Sequence, residues 1–163
     1  MVINTKKVAC RREVRFESLA ELRADVEQLR DAAAGRSVEA LGNWSPEQAM
    51  QHLARFMTCS IEGFDKAPFF LRPMGMVLQL FQGKKILNRP PPPGFRIPDT
   101  LAFFPDAEVE DAVGARELLA VIDRLSQDTK CVQPSPLLGK LSHEQWITLH
   151  CRHAELHMSF FKV

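Results

Sequence analysis

LSHEQWITLHCRHAELHMSFF, residues 141–161, holds three of the five histidines of this 163-residue chain, His150, His153 and His157. Ser142 followed by Gln145 is the S-x-x-Q form of a capping box, which predicts a helix beginning at Ser142. Leu141 before the cap and Trp146 after it suit a hydrophobic staple. Wound at about 100° per residue, Trp146, Leu149, His150, His153, Leu156, His157, Phe160 and Phe161 fall within one arc of roughly 140°. Thr148, Arg152, Glu155 and Ser159 fall opposite, on the expected solvent face. The histidines therefore lie inside the apolar stripe.

Burying an imidazole without partners costs a few kcal/mol. A single buried histidine is usually a satisfied core residue. Three in one stripe are harder to satisfy, and one metal ion would satisfy them together. His153 and His157 are spaced i, i+4 on one face, so their rings can close on an ion at the roughly 2.0–2.1 Å of a zinc–nitrogen bond. His150 and His157 are about 10.5 Å apart along the axis and chelate poorly. A third ligand has to come from elsewhere in the chain.

SPEQAMQHLARFMTCSIEG, residues 45–63, supplies it. Ser45, Pro46 at the first helical position and Gln48 fix the start of a second helix. Ala49, Met50, Leu53, Phe56, Met57 and Ile61 form its apolar side. His52 sits at the edge of that side, beside Phe56 and Cys59, and is the predicted third ligand. The alternative is an ordinary boundary histidine.

The rest of the chain reads as frame. Residues 1–17 are charged and irregular, an arm or a short strand. Ser18 with Glu21 caps a helix that carries Leu19, Leu22, Val26 and Leu29 at helical spacing, with Gly35 as its stop. Residues 68–88 look helical but are broken by Pro73 and Gly75. Arg72 within them could line a substrate pocket together with Phe56, or could simply snorkel from the core. Residues 89–105, which include RPPPPGFRIP, form an extended crossover. Asp106 is the expected cap of a further helix carrying Val109, Val113, Leu118, Leu119, Ile122 and Leu125.

The 45% hydrophobic and 25% charged composition suits one soluble domain spanning 1–163. With 21 basic and 20 acidic side chains the net charge is +1, so no electrostatic case for nucleic-acid binding exists. No run of 18 apolar residues suggests a membrane span. The N-terminus lacks the apolar core of a secretory signal, which places the protein in the cytoplasm. The four cysteines form no C-x-x-C pair and are expected to be reduced thiols. The fold class is therefore all-α: a four-helix bundle with one long crossover, whose inward side chains can build a metal site.

GNWSPEQAMQHLA, followed about a hundred residues later by LGKLSHEQWITLHCRHAELHMSFF, resembles the DinB/YfiT-like superfamily of metal-dependent enzymes, most closely a branch without assigned function. Trp44, Ser45, His52, His153 and His157 match its pattern of a tryptophan–serine helix start, a histidine some eight residues on and a late H-x-x-x-H. The resemblance implies a DinB/YfiT-like bundle, often a homodimer, with a three-histidine divalent-metal site open to water or substrate. It also implies, for some relatives, a low-molecular-weight thiol as co-substrate.

These readings make the protein a metal-dependent enzyme of hydrolase or thiol-transferase type, acting on a small molecule. Its metal ligands are His52, His153 and His157; the absence of a carboxylate ligand suits zinc, nickel or iron(II). His150 is the candidate acid or base behind the ligands. Two alternatives stay open: a non-catalytic module binding a metal or small ligand, and a metal-free helical scaffold.

Overall fold

The computed structural model describes residues 2–64, 87–94, 99–127, 130–136 and 138–163. The broken helical segment expected over 68–88, with Arg72, lies almost wholly outside them, as do residues 95–98 of the crossover. The fold is mostly helical, with a small two-stranded sheet. Four α-helices lie wholly within the described residues: α1 (Leu19–Ala34), α2 (Pro46–Glu62), α3 (Val113–Ser126) and α4 (His143–Met158). None is long and apolar enough to cross a membrane.

Local capping decides three of the four starts. Ser45 accepts from the Gln48 N–H while Gln48 bonds back to the Ser45 N–H, a complete capping box with Pro46 in the first turn. Ser142 and Gln145 repeat the arrangement at α4. At α1 the Ser18 hydroxyl accepts from Glu21 N, but the Glu21 carboxylate takes the Glu17 N–H, so the box is half made. The helical spacing of α1 is as read, with Leu19, Leu22, Val26 and Leu29 all buried. These meet Met50, Leu53 and Met57 of α2, Leu118 and Ile122 of α3, and Trp146 and Met158 of α4 in one core.

The start of α3 differs from expectation. It begins at Val113, not near Asp106, after Ala112 in the left-handed region at φ 64° and without a side-chain cap of its own. Asp106 is held elsewhere. Its carboxylate pairs with Arg55 at 2.7 Å and accepts from Gln51, and its N–H donates to Gln51. The helix takes its end cap from a neighbour instead, because Glu47 of α2 accepts from Ala115 N at 3.1 Å. Gly114 permits that approach: a Cβ there would overlap the Glu47 carbonyl oxygen and stand 3.1 Å from Gln51 N.

After Met158 the chain leaves the helix, so Phe160 and Phe161 are not part of the helical stripe. β2 (Phe161–Lys162) pairs antiparallel with β1 (Glu39–Ala40), Ala40 opposite Phe161 and Glu39 opposite Lys162. The pairing ties the end of α4 to the α1–α2 connection.

The face of α4 opposite the histidines also differs. Arg152 and Glu155, expected in solvent, are each 2% exposed, and Ser159 is buried. The N-terminal arm covers them. Arg152 donates to the Phe16 carbonyl, Glu155 accepts from the Phe16 N–H at 2.8 Å, and the two side chains pair with each other at 2.9 Å. Arg12 N donates to the Ser159 carbonyl, and the Arg12 guanidinium makes two 2.7 Å bonds to Asp25 of α1. A charged helix face became an interior one because a charged arm brought partners to it.

Candidate metal centre

His52 stands in the second turn of α2, and His153 and His157 stand one turn apart on α4. His52 is 2% exposed, while His153 and His157 are half-buried. Their ring nitrogens converge: His153 Nε2 is 3.2 Å from His52 Nε2 and 3.1 Å from His157 Nε2. One ligand atom from each of the three lies within 4.8 Å of the others. A triangle with edges of 3.1, 3.2 and at most 4.8 Å has a centre within roughly 2.4 Å of every corner, close to a zinc–nitrogen bond of about 2.0–2.1 Å. A tetrahedral ion with such bonds would hold its nitrogens about 3.3 Å apart. The cluster could hold a metal ion.

The tautomer of His52 is decided by its other nitrogen. Nδ1 lies 2.7 Å from the carbonyl oxygen of Phe103. A carbonyl can only accept, so the proton is on Nδ1 and the Nε2 lone pair faces His153. Metal-binding histidines are typically oriented in this way. Side chains of α2 hold the segment that carries Phe103. Arg55 donates to the Phe104 carbonyl at 2.7 Å, and Gln48 donates to the carbonyls of Asp106 and Ala107. With the Asp106 bonds to Gln51 and Arg55, this staple fixes the loop one turn from His52.

Burial lowers the basicity of the whole cluster. His52 falls to about 4, opposed by its bond to Phe103. His153 falls well below the usual imidazole value through burial and then the neighbouring histidines His157, His52 and His150. His157 falls likewise through burial and then His52. Among the described residues no carboxylate contributes to any of the three. Neutral imidazoles meeting at one point can direct at most one N–H inward without setting hydrogens against each other. A divalent cation accepts all three lone pairs.

Aromatic rings surround the cluster. Trp44 stacks on His157 at 5.3 Å between centroids and lies 5.0 Å from His52. Phe56 is 4.7 Å from His153, and Phe103 is 5.9 Å from His52. Phe104 meets Trp44, and Phe64 meets both Phe56 and Phe103. Phe56, expected at a pocket, is thus beside the three histidines; Arg72, its expected partner, is outside the described residues.

His150 has a different neighbourhood. It is fully buried, stacked on Trp146, with Nε2 3.0 Å from Ser60 Oγ and 3.9 Å from Cys131 Sγ. Burial pushes it down to about 3. These contacts turn its Nε2 toward Ser60, not toward the three converging nitrogens. Trp44 was legible as part of the helix start, but Phe103 and Phe104 were not. Phe103 orients His52 through a backbone carbonyl, and a carbonyl has no residue-type signal.

A family model described as "Protein of unknown function (DUF1569)" matches residues 8–163. The chain belongs to the DUF1569 family. Searches of curated proteins and of solved structures returned no match to it. Membership of DUF1569 corrects the DinB/YfiT-like resemblance. The segments behind that resemblance are two capped helix starts with histidines at set depths. Histidines at i, i+4 on one helix can converge with a third on a facing helix in any lineage, so the spacing describes the site and not the family. The homodimer and the low-molecular-weight thiol were implied by that resemblance, and the DUF1569 match does not bear on either. The histidine geometry of this DUF1569 chain stands without it.

Proposed function

We propose that His52, His153 and His157 hold a divalent metal ion and that the protein is a metal-dependent enzyme of hydrolase type. The observation that carries the reading is the convergence of three Nε2 atoms, with His52 turned inward by the Phe103 carbonyl. The all-nitrogen set suits zinc, nickel or iron(II) over magnesium or calcium, which favour oxygen ligands. Three neutral ligands leave such an ion its full charge, which brings a bound water to a pKa near 7 and supplies a nucleophile without a separate base. The chain's own residues fix the ligand geometry and keep bulk water off it, with Trp44 against His157 and Phe56 against His153. In the same reading the four helices pack as a bundle with the site between α2 and α4.

The test begins with elemental analysis of protein purified without an affinity tag or chelator. One equivalent of a first-row divalent metal is expected. His153→Ala should abolish stoichiometric binding; His143→Ala should retain it, since the His143 ring accepts from Cys131 N instead. Zinc-loaded protein should then hydrolyse an activated ester such as 4-nitrophenyl acetate, with a rate rising through about pH 7, and His153→Ala should not. Metal retained by His153→Ala would sink the reading.

A second reading is a non-catalytic metal-binding module. Among the described residues, no carboxylate contributes to the electrostatics of the three histidines, so no side-chain general base is evident. Stoichiometric metal without ester hydrolysis would favour it.

A further inference from the structure

The three ligands and the rings around them also limit what else the ion can bind, an inference resting on the metal reading above. Three neutral imidazoles would leave a divalent charge uncompensated by any of the described residues. Among the described residues the cluster is made of histidines alone, with no Asp or Glu grouped with them. Glu155, the nearest carboxylate in sequence, is turned away and bound to Phe16 N and Arg152. Asp106 is occupied by Arg55 and Gln51. In surroundings of low dielectric, an unbalanced charge strongly favours an anionic ligand.

The surroundings specify the rest of that ligand. Trp44, Phe56, Phe64, Phe103 and Phe104 are each half-buried, so their rings are not sealed in the core. Phe56 bridges the metal side to the wall, 4.7 Å from His153, 5.5 Å from Phe64 and 5.4 Å from Phe103. Rings at these separations pack edge-to-face or offset against a further flat ring. The same wall offers nothing to an ammonium beside a dication, because like charges repel at short range.

We infer that the coordination positions left open by His52, His153 and His157 take a small organic monoanion, a carboxylate or similar donor group carried on a flat apolar body. The anionic group binds the ion, and the body lies against Phe56 and Phe103. Size alone does not select this ligand: acetate has the charge without the body, and benzylammonium has the body with the wrong charge.

The test uses the full chain loaded with cobalt(II), whose visible absorption reports the ligands around the ion. The loaded protein is titrated with benzoate, acetate and benzylammonium. Benzoate should half-saturate the spectral change at about a tenfold lower concentration than acetate, the scale of one good aromatic contact. Benzylammonium should leave the spectrum unchanged. Phe56→Leu keeps an apolar side chain but removes the ring, and should bring benzoate to within about threefold of acetate. Phe103→Leu should do the same if the Phe56 variant does not fold. Equal affinities for benzoate and acetate, or a spectrum moved by none of the three, would overturn the inference while the metal reading stands. No cobalt band before any ligand is added would overturn both.

Discussion

His52 Nδ1 donates to the carbonyl oxygen of Phe103 across 2.7 Å, and the loop carrying Phe103 is held by Asp106 to Gln51 and Arg55 of the helix that also carries His52. The His52 ring and the carbonyl that orients it are therefore tied to one element. Loss of such an orienting partner typically costs 10–100-fold in metal affinity. Asp106→Ala should weaken zinc or cobalt binding by about tenfold or more, measured by competition with a chromophoric chelator. Asp106 is exposed, so the urea midpoint should change little. Unchanged affinity would mean that the loop holds Phe103 without the staple.

Arg152 and Glu155 pair inside the protein, and the arm residue Phe16 bonds to both. Glu155 Oε2 and Arg152 Nε have no hydrogen-bond partner, so the pair is matched in charge more than in geometry. Removing Arg152 leaves the buried Glu155 carboxylate with only the longer 3.8 Å ion pair to the exposed Arg15. Arg152→Met should destabilise the protein by about 3–5 kcal/mol in urea unfolding. Arg152→Met with Glu155→Leu should recover much of that loss, since an apolar pair can replace a buried ionic one at little cost. A double variant as unstable as the single one would show that the bonds to Phe16 matter more than the charges.

Gly114 lies where α3 touches α2. A Cβ there would stand 2.9 Å from the Glu47 carbonyl carbon and 3.1 Å from Gln51 N, both backbone atoms that cannot swing aside. Gly114→Ala should cost at least about 2 kcal/mol, in the range of overpacked cores. It should also disturb the Glu47 cap on Ala115. A midpoint within experimental error of wild type would mean that α3 shifts freely on α2.

The metal-free protein should be acid-sensitive. His52 and His150 drop from 6.5 to about 4 and about 3 in the folded state, chiefly through burial. Below pH 6.5 the unfolded chain binds protons that the folded chain refuses, so stability falls as pH falls through that window. Each such histidine contributes a slope of up to about 1.4 kcal/mol per pH unit. The urea midpoint should therefore drop steadily between about pH 7 and pH 5. His150→Leu should make the drop shallower by about one histidine's share. A profile flat across that window would contradict the burial of these rings.

The two capped helices were legible because their signals are local. Ser45 with Gln48, and Ser142 with Gln145, are partners three residues apart. The i, i+4 pairing of His153 and His157 is equally local, and so is the apolar spacing of α1. The choice of His52 as third ligand needed more than spacing. It needed the expectation that two apolar stripes face each other, and the ring distances agree with it.

Tertiary structure decided what depended on distant partners. Arg152 and Glu155 read as a solvent face because they fall opposite the apolar stripe; Phe16, 139 positions from Glu155, bonds to both and covers them. Asp106 read as a cap because it precedes an amphipathic run; Gln51, 55 positions away, claimed it first and left α3 to start at Val113. The carbonyl of Phe103 that orients His52 lies 51 positions along the chain. Periodicity and capping report hydrogen bonds closed within one turn, so they placed the two helices and the depth of each histidine along them. Which faces stay wet, where a helix begins and how a ring is turned depend on contacts that exist only once remote segments have packed.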